Sequence, residues 1–240
     1  MTETDPVFAA LARRFPLVTV PLVVAGRAFD LLCVRDQDTL LAGITDEAEV
    51  DRFPFGLLLW ASAIALAESL AASPEVVTGK RVLEIGAGGV GLPGLVAAHL
   101  GAAHVTQTDY HAESLTLLAH NARTNGFAGR VTQVRGDWRD FAGVGQPFDV
   151  VLGSDILYEH ALHDALLTLL PKLVVPGGLL LLSDPLRPQA LTFIERLEAQ
   201  DDYWRLPVKM TGHTVTEPDG TMRQTAQFAL RRRFIAPPSP

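Results

Sequence analysis

From residue 81 onward, short apolar runs alternate along the chain with longer segments in which apolar residues recur at helical spacing. Short runs rich in β-branched residues predict strands, and apolar positions three and four residues apart predict helices. This alternation is typical of a parallel sheet with crossover helices. The predicted strands are 81–85, 104–108, 130–134, 148–153 and 179–183. The predicted helices are 89–100, 112–124, 160–170 with a stop at Pro171, and 189–200.

Both ends of the chain depart from this alternation. Before it, two β-rich runs at 17–24 and 28–34 predict a hairpin, and apolar residues at helical spacing over 57–70 predict a buried helix. After it, runs at 203–210 and 221–234 flank a loop with a Pro-Asp-Gly sequence. A turn sequence between two strands predicts a second hairpin instead of another crossover unit.

These elements predict an α/β fold with a Rossmann-like, doubly wound sheet of seven strands. A terminal antiparallel hairpin completes the sheet, and a β-hairpin and helix extension precedes it. The expected division is an N-terminal extension packed on the core (1–55), a main domain (56–234) and a tail (235–240). A length of 240 residues with 48% apolar and 20% charged residues supports one sizeable core.

Composition and charge narrow the range of partners. The formal net charge of −7 gives no basic groove for nucleic acid, so nucleic acid is not an expected partner. The longest apolar stretch, 55–67, is too short to span a bilayer, and the acidic start does not read as a secretory signal. Cys33 is the single cysteine, and no metal-ligand spacing is present. A cytoplasmic protein without a metal site or a membrane span is expected.

The strongest local motif is a glycine loop between a predicted strand and a predicted helix. Gly86, Gly88 and Gly91 form G-x-G-x-x-G, which permits a tight turn and brings a ligand close to free N–H groups. Asp109 follows at the end of the next strand, where a carboxylate can accept hydrogen bonds from ribose hydroxyls. Together they predict an adenosine-containing ligand. The alternative is that the glycines serve helix packing and that Asp109 caps a helix.

Glu84 bears on which adenosine-containing ligand is bound. It stands two residues before the first glycine of the loop. A carboxylate beside a pyrophosphate is unfavourable, whereas beside a cation it is favourable. This favours S-adenosylmethionine, which carries a sulfonium and an amino group, over a dinucleotide. An NAD-dependent oxidoreductase, which shares the glycine loop, remains the alternative.

The sequence resembles the class I, seven-strand methyltransferases and, within them, the family 16 lysine methyltransferases. The resemblance covers about residues 53–234. It rests on Gly56-x-x-x-Trp60, Glu84-x-Gly86-x-Gly88, Asp109, Gly136-Asp137-Trp138 and Asp155-Ile156-Leu157-Tyr158. It implies S-adenosylmethionine as cofactor and, as acceptor, a lysine side chain of a protein substrate. Related sequences include enzymes assigned to small amines such as nicotinamide, so a small-molecule N-methyltransferase remains open, as does a non-catalytic cofactor-binding module.

The resemblance also implies roles for single residues. Asp137 would accept a hydrogen bond from the adenine amine, and Trp138 and Trp60 would line the cofactor. From periodicity alone, both tryptophans are equally well explained as core residues. The expected cofactor-binding residues are Trp60, Glu84, Gly86, Ala87, Gly88, Gly91, Asp109, Tyr110, Asp137, Trp138 and Ser154.

The acceptor side is expected just past the fourth core strand, because ligands of open α/β sheets bind at the carboxyl edge. There Asp155 would hydrogen-bond the incoming amine, and Tyr158 would present its hydroxyl or ring, as the resemblance implies. The alternative is a helix cap and a packed tyrosine. The Pro-Pro of enzymes that methylate adenine or glutamine is missing here, which disfavours those acceptors. The sequence does not indicate an oligomeric state.

Overall fold

The computed structural model describes residues 6–42, 55–141, 145 and 147–234. Its helices are α1 (Pro6–Arg14), α2 (Gln37–Ala42), α3 (Ala61–Ala72), α4 (Leu92–His99), α5 (Ala112–Thr124), α6 (His163–Leu173) and α7 (Pro188–Glu198). Its strands are β1 (Leu17–Val24), β2 (Arg27–Val34), β3 (Arg81–Ile85), β4 (His104–Asp109), β5 (Val131–Arg135), β6 (Phe148–Ser154), β7 (Val174–Asp184), β8 (Trp204–Thr216) and β9 (Met222–Arg232). Short 3-10 helices lie at Phe55–Leu57, Pro74–Val76 and His160–Leu162.

The seven core strands form one sheet in the order β5-β4-β3-β6-β7-β9-β8, and β1 and β2 pair as a separate hairpin. Strands β3 to β7 run parallel to one another, whereas β9 is antiparallel to both β7 and β8. The predicted fold class is therefore confirmed. The chain reverses its direction across the sheet between β3 and β6, which opens a crevice at the carboxyl ends of the strands.

Helices cover both faces of the sheet. In β3, Val82 packs in a cluster with α3 and α4, whereas Leu83 and Ile85 pack on the opposite face with α6 and α7. A strand buried on both faces reads as a continuous apolar run, which is why β3 shows no alternation with polar residues. Its one acidic residue, Glu84, is therefore forced into the interior.

The expected stop of α6 at Pro171 is wrong, because the helix continues to Leu173. A proline inside a helix removes the N–H that would bond the carbonyl four residues earlier, here that of Leu167. Gln200 donates its side-chain Nε2–H to that carbonyl oxygen at 3.2 Å. This replacement donor lets the last turn form, and no local sequence pattern reveals it.

Other observed element boundaries also differ from the predicted ones, and the structure shows why. The helix expected over 89–100 begins at Leu92, since the glycine loop occupies the preceding residues and Gly91 is its N-cap. The helix expected over 57–70 begins at Ala61, with Trp60 as N-cap. The predicted turn at 176–178 lies inside β7 as an irregularity in its pairing with β6.

The N-terminal hairpin is fastened to α5 by two amide side chains. Asn121 accepts the N–H of Leu32 at 2.8 Å and donates to the Leu32 carbonyl at 3.0 Å. Asn125 does the same for Asp30, at 3.0 Å and 2.9 Å. Each amide thus pairs with the free edge of β2 as a neighbouring strand would. The proposed domain boundaries stay predictions, and the tail at 235–240 lies outside the described residues.

Among the residues that the structure describes, no helix is long and apolar enough to cross a membrane.

Candidate active site

A cavity of about 940 Å³ opens at the carboxyl edge of the parallel strands. The segments that follow β3, β4, β5, β6 and β7 each contribute to its wall, as does the segment before α3. The predicted site residues on this wall are Trp60, Gly86, Ala87, Gly88, Gly91, Asp109, Tyr110, Asp137, Trp138, Ser154, Asp155 and Tyr158. Glu84 is the one predicted site residue that does not line it.

The glycine loop packs closely against three neighbouring segments. Gly86 has a left-handed backbone (φ +59°), and a Cβ there would lie 2.7 Å from Ile156 Cγ2 and 2.9 Å from Trp138 Cζ2. Gly88 is also left-handed (φ +62°), and its Cβ would lie 2.5 Å from the Gly56 carbonyl oxygen. Only glycine fits both positions without displacing a neighbour. These glycines are therefore needed for packing. Their close contacts place Trp138 and Gly56 on the cavity wall.

Glu84 lies beneath α4 instead of beside the cavity, which corrects the expectation of a charge next to the ligand. Its Oε2 accepts the backbone N–H of Gly94 at 3.0 Å and the side-chain amide of Gln107 at 2.8 Å. Only 1% of the residue is exposed, and this burial raises the pKa of Glu84 to about 7. Glu84 therefore gives no electrostatic reason to expect a cationic ligand.

Asp109 is positioned by backbone donors on two sides. Its Oδ2 accepts the N–H of Gly88 at 3.0 Å, and its Oδ1 accepts the N–H of His111 at 2.9 Å. Burial raises the pKa of Asp109. It does not act as the cap of α5, because His111 is the N-cap residue. Each carboxylate oxygen can accept more than one hydrogen bond, so Asp109 retains capacity for hydroxyls in the cavity.

The wall after β5 carries an ion pair and an aromatic ring. Asp137 accepts hydrogen bonds from Arg139, at 2.9 Å from Nε and 2.6 Å from Nη2, and this guanidinium lowers the pKa of Asp137. Trp138 is half-buried against the glycine loop. In the segment before α3, Trp60 donates its indole N–H to the Phe55 carbonyl at 2.9 Å. Both tryptophans pack and line the cavity at once.

The segment that follows β6 places Asp155 and Tyr158 on the cavity wall, and this part of the cavity is the candidate acceptor end. Asp155 has a left-handed backbone (φ +58°) and donates its N–H to the Ser183 carbonyl at 2.8 Å. Burial raises the pKa of Asp155, an effect opposed by the nearby Arg187 guanidinium. Tyr158 packs edge-on against Phe55 at 5.8 Å between ring centroids, and partial desolvation raises the pKa of the phenol although 39% of the residue is exposed. Tyr158 therefore keeps its proton at neutral pH.

Arg187 also lines the cavity, although no site role is expected for it from the sequence. Its Nη1 lies 2.5 Å from Asp155 Oδ1 and 3.0 Å from Asp184 Oδ2. The only signal was the Asp-Pro-Leu-Arg turn after β7, which is also an ordinary strand ending. In the described part of the chain, no group of three or more His, Cys, Asp or Glu side chains is placed to hold a metal ion.

Solved structures of class I methyltransferases share this fold. The 16S rRNA N2 G1207 methyltransferase RsmC of T. thermophilus matches with a TM-score of 0.62 at 17% identity, over 90% of this chain and 51% of that chain. The ribosomal protein L11 methylase of Lactobacillus delbrueckii subsp. bulgaricus matches with a TM-score of 0.56 at 24% identity, over 74% of this chain and 81% of that chain. At these identities the likeness concerns the fold alone.

Within this class, the chain belongs to the lysine methyltransferase family, whose sequence profile matches residues 44–200. The resemblance stated from the motifs is thereby confirmed.

Curated relatives agree with this assignment. The protein N-terminal and lysine N-methyltransferase EFM7 of Eremothecium gossypii is 37% identical over 57% of this chain and 58% of its own length. The protein-lysine N-methyltransferase EFM3 of Chaetomium thermophilum is 33% identical over 50% of this chain and 38% of its length. The protein N-lysine methyltransferase METTL21A of Danio rerio is 36% identical over 57% of this chain and 63% of its length. The matches thus span less than two thirds of these relatives.

Proposed function

We propose that this protein transfers a methyl group from S-adenosylmethionine to the side-chain amine of a lysine in a protein substrate. The observation that carries the proposal is the single cavity that the glycine loop and Asp109 line together with Asp155 and Tyr158. Family membership supports methyl transfer, and the description of the family supports lysine as the acceptor.

The cavity residues that follow β3, β4 and β5 fit an adenosine-containing cofactor. Asp109 would accept hydrogen bonds from the ribose, and the backbone of Gly86 and Gly88 would face the ligand where no Cβ has room. Asp137 and Trp138 would hold the adenine, the first as an ionised acceptor and the second by contact with the ring. When bound, the cofactor supplies a methyl group on a positively charged sulfur.

The cavity residues that follow β6 fit an amine acceptor. A lysine amine has an ordinary pKa near 10.4, so it must release a proton to solvent before its lone pair can form the new N–C bond while the C–S bond breaks and the neutral thioether leaves. Asp155 would accept a hydrogen bond from this amine and orient its lone pair, and the Tyr158 ring would border the cationic product.

The cofactor is tested by calorimetric titration with S-adenosylhomocysteine, the demethylated product. We expect wild type to bind it and Asp109→Ala to lose about tenfold or more in affinity, because a buried charge-assisted acceptor is removed. The matched control is Asp219→Ala in the β8–β9 turn, where Asp219 accepts the Thr221 N–H away from the cavity. Binding of NADH without any response to S-adenosylhomocysteine would support the dinucleotide alternative and overturn the proposal.

A further inference from the structure

We propose that Arg187 is a positioning residue for the acceptor end of the cavity, where it holds the Asp155 carboxylate in the ionised form and orientation that recognise a cationic amine. This inference rests on the proposed function, because the amine is the acceptor in that reaction. It assigns Arg187 a role through Asp155 instead of direct contact with the methyl group.

Arg187 is held in place by Asp184 at two points. The backbone N–H of Arg187 donates to Asp184 Oδ1 at 2.8 Å, and its Nη1 donates to Asp184 Oδ2 at 3.0 Å. The same Nη1 lies 2.5 Å from Asp155 Oδ1. The Asp184 side chain is fully buried and that of Asp155 is 10% exposed, so solvent screens these contacts little. Asp184 therefore aims the guanidinium at Asp155.

The backbone on both sides of this contact is strained. Asp155 follows β6 with φ +58°, and Leu186 follows β7 with φ +64°. For residues other than glycine, this left-handed conformation is unfavourable, and such strain concentrates at functional sites. The two strained positions bring the ends of neighbouring parallel strands together at the Arg187–Asp155 pair. The loops that hold this pair thus carry a conformational cost.

The charges explain what Arg187 contributes. Asp155 and Asp184 share one guanidinium, which leaves one net negative charge at the cavity end. Without Arg187, two buried carboxylates would face each other, and one of them would take up a proton. A protonated Asp155 attracts a cation poorly. Arg187 contacts Oδ1, and each carboxylate oxygen can accept more than one hydrogen bond, so Asp155 keeps acceptor capacity.

The test compares two ligands that differ at the transfer position. Sinefungin carries a protonated amine where the cofactor carries its methyl group, whereas S-adenosylhomocysteine carries nothing there. The ratio of their dissociation constants, measured by calorimetry at neutral pH, therefore reports recognition of a cation at the acceptor end. This readout needs no knowledge of the protein substrate, and loss of general stability changes both affinities together.

We expect Arg187→Met to lower the preference for sinefungin by about tenfold while the affinity for S-adenosylhomocysteine stays unchanged, since a charge-assisted contact is lost. Asp155→Asn should cause a similar loss, and the double variant should show no further loss, because Arg187 acts through Asp155. Arg187→Lys should restore part of the preference. The matched control is Arg196→Met, which breaks an ion pair of 2.5 Å with Asp164 outside the cavity.

An unchanged ratio in Arg187→Met, or equal loss of both ligands in Arg187→Met and Arg187→Lys, overturns the role of Arg187. Additive losses in the double variant also overturn it, because Arg187 would then act independently of Asp155. Failure of wild type to bind either ligand is a different result, since it contradicts the proposed function itself.

Discussion

Glu84 is a buried carboxylate whose partners are all neutral. It accepts hydrogen bonds from Gly94 and Gln107, and its Oε1 has no hydrogen-bond partner within the described residues. A carboxylate in this environment is stabilised when it binds a proton, because burial penalises the charged form. Glu84 therefore acts on stability, and the structure gives it no contact with the cavity.

This placement predicts a pH-dependent stability. The pKa of Glu84 is about 7 in the folded chain against an ordinary 4.5, so its favourable contribution is complete below pH 4.5 and is lost as the pH rises through 7. Glu84→Gln imitates the protonated form. From pH 5 to pH 8, we expect wild type to lose on the order of 3 kcal/mol of unfolding free energy relative to Glu84→Gln.

Urea unfolding of both proteins at several pH values checks this prediction. The subtraction matters because burial also raises the pKa of Asp109, Asp155 and Asp184, which affect both proteins alike. Glu68→Gln, at an exposed position on α3, is the control and should follow wild type. Parallel stability curves for wild type and Glu84→Gln would show that Glu84 stays charged in the folded chain.

At the residue scale, the sequence predicts which residues lie near one another better than it predicts how their side chains are oriented. The glycine loop, Asp109, Asp155 and Tyr158 stand at strand ends, and parallel strand ends meet at one edge of a sheet, so their proximity followed from the order of elements. Glu84 lies inside a strand that is buried on both faces, so the sequence does not show which face of the sheet its side chain is on. The contact between Arg187 and Asp155 joins two separate strand ends, and no spacing rule specifies it.

At the scale of elements, α5 links the N-terminal hairpin to the glycine loop. Asn121 bonds both backbone groups of Leu32 and also donates its side-chain amide to the Gly89 carbonyl at 3.0 Å. One buried side chain therefore connects β2 with the loop that would hold the cofactor. The elements themselves were predictable from periodicity, whereas this connection depends on amides that pair with a strand edge.

Asn121→Ala should loosen β2, because it leaves buried backbone groups of Leu32 and Gly89 without partners. We expect a loss of roughly 2 kcal/mol in unfolding free energy. The thiol of Cys33, also in β2, provides a direct readout. It is 1% exposed and burial raises its pKa to about 11, so it should react with a thiol reagent only after local opening.

The reaction of Cys33 with a disulfide reagent is followed by absorbance under native conditions. Asn121→Ala should speed it by about tenfold or more, in line with the lost stability. Thr124→Ala, at an exposed position on the same helix, is the control and should react as slowly as wild type. Equal rates for wild type and Asn121→Ala would mean that the amide does not hold the hairpin.

At the scale of the whole molecule, the strand order places every site segment at one edge. The direction of the chain across the sheet reverses between β3 and β6, and the loops on either side form the cavity. The order of strands and helices along the sequence was sufficient to predict this arrangement, because right-handed crossovers allow few alternatives. The identity of the methyl acceptor depends instead on the shape and charge of loop residues, which vary independently of the fold.

The most direct measurement is transfer of a labelled methyl group from S-adenosylmethionine to protein in a dialysed cell extract. We predict label in a discrete protein band, recovered as methyllysine after hydrolysis. Asp155→Asn, which tolerates the left-handed backbone but removes the charge, should reduce it at least about tenfold. Asp164→Asn, exposed and outside the cavity, should label as wild type does. Label confined to small molecules, or to an N-terminal amine, would contradict lysine as the acceptor.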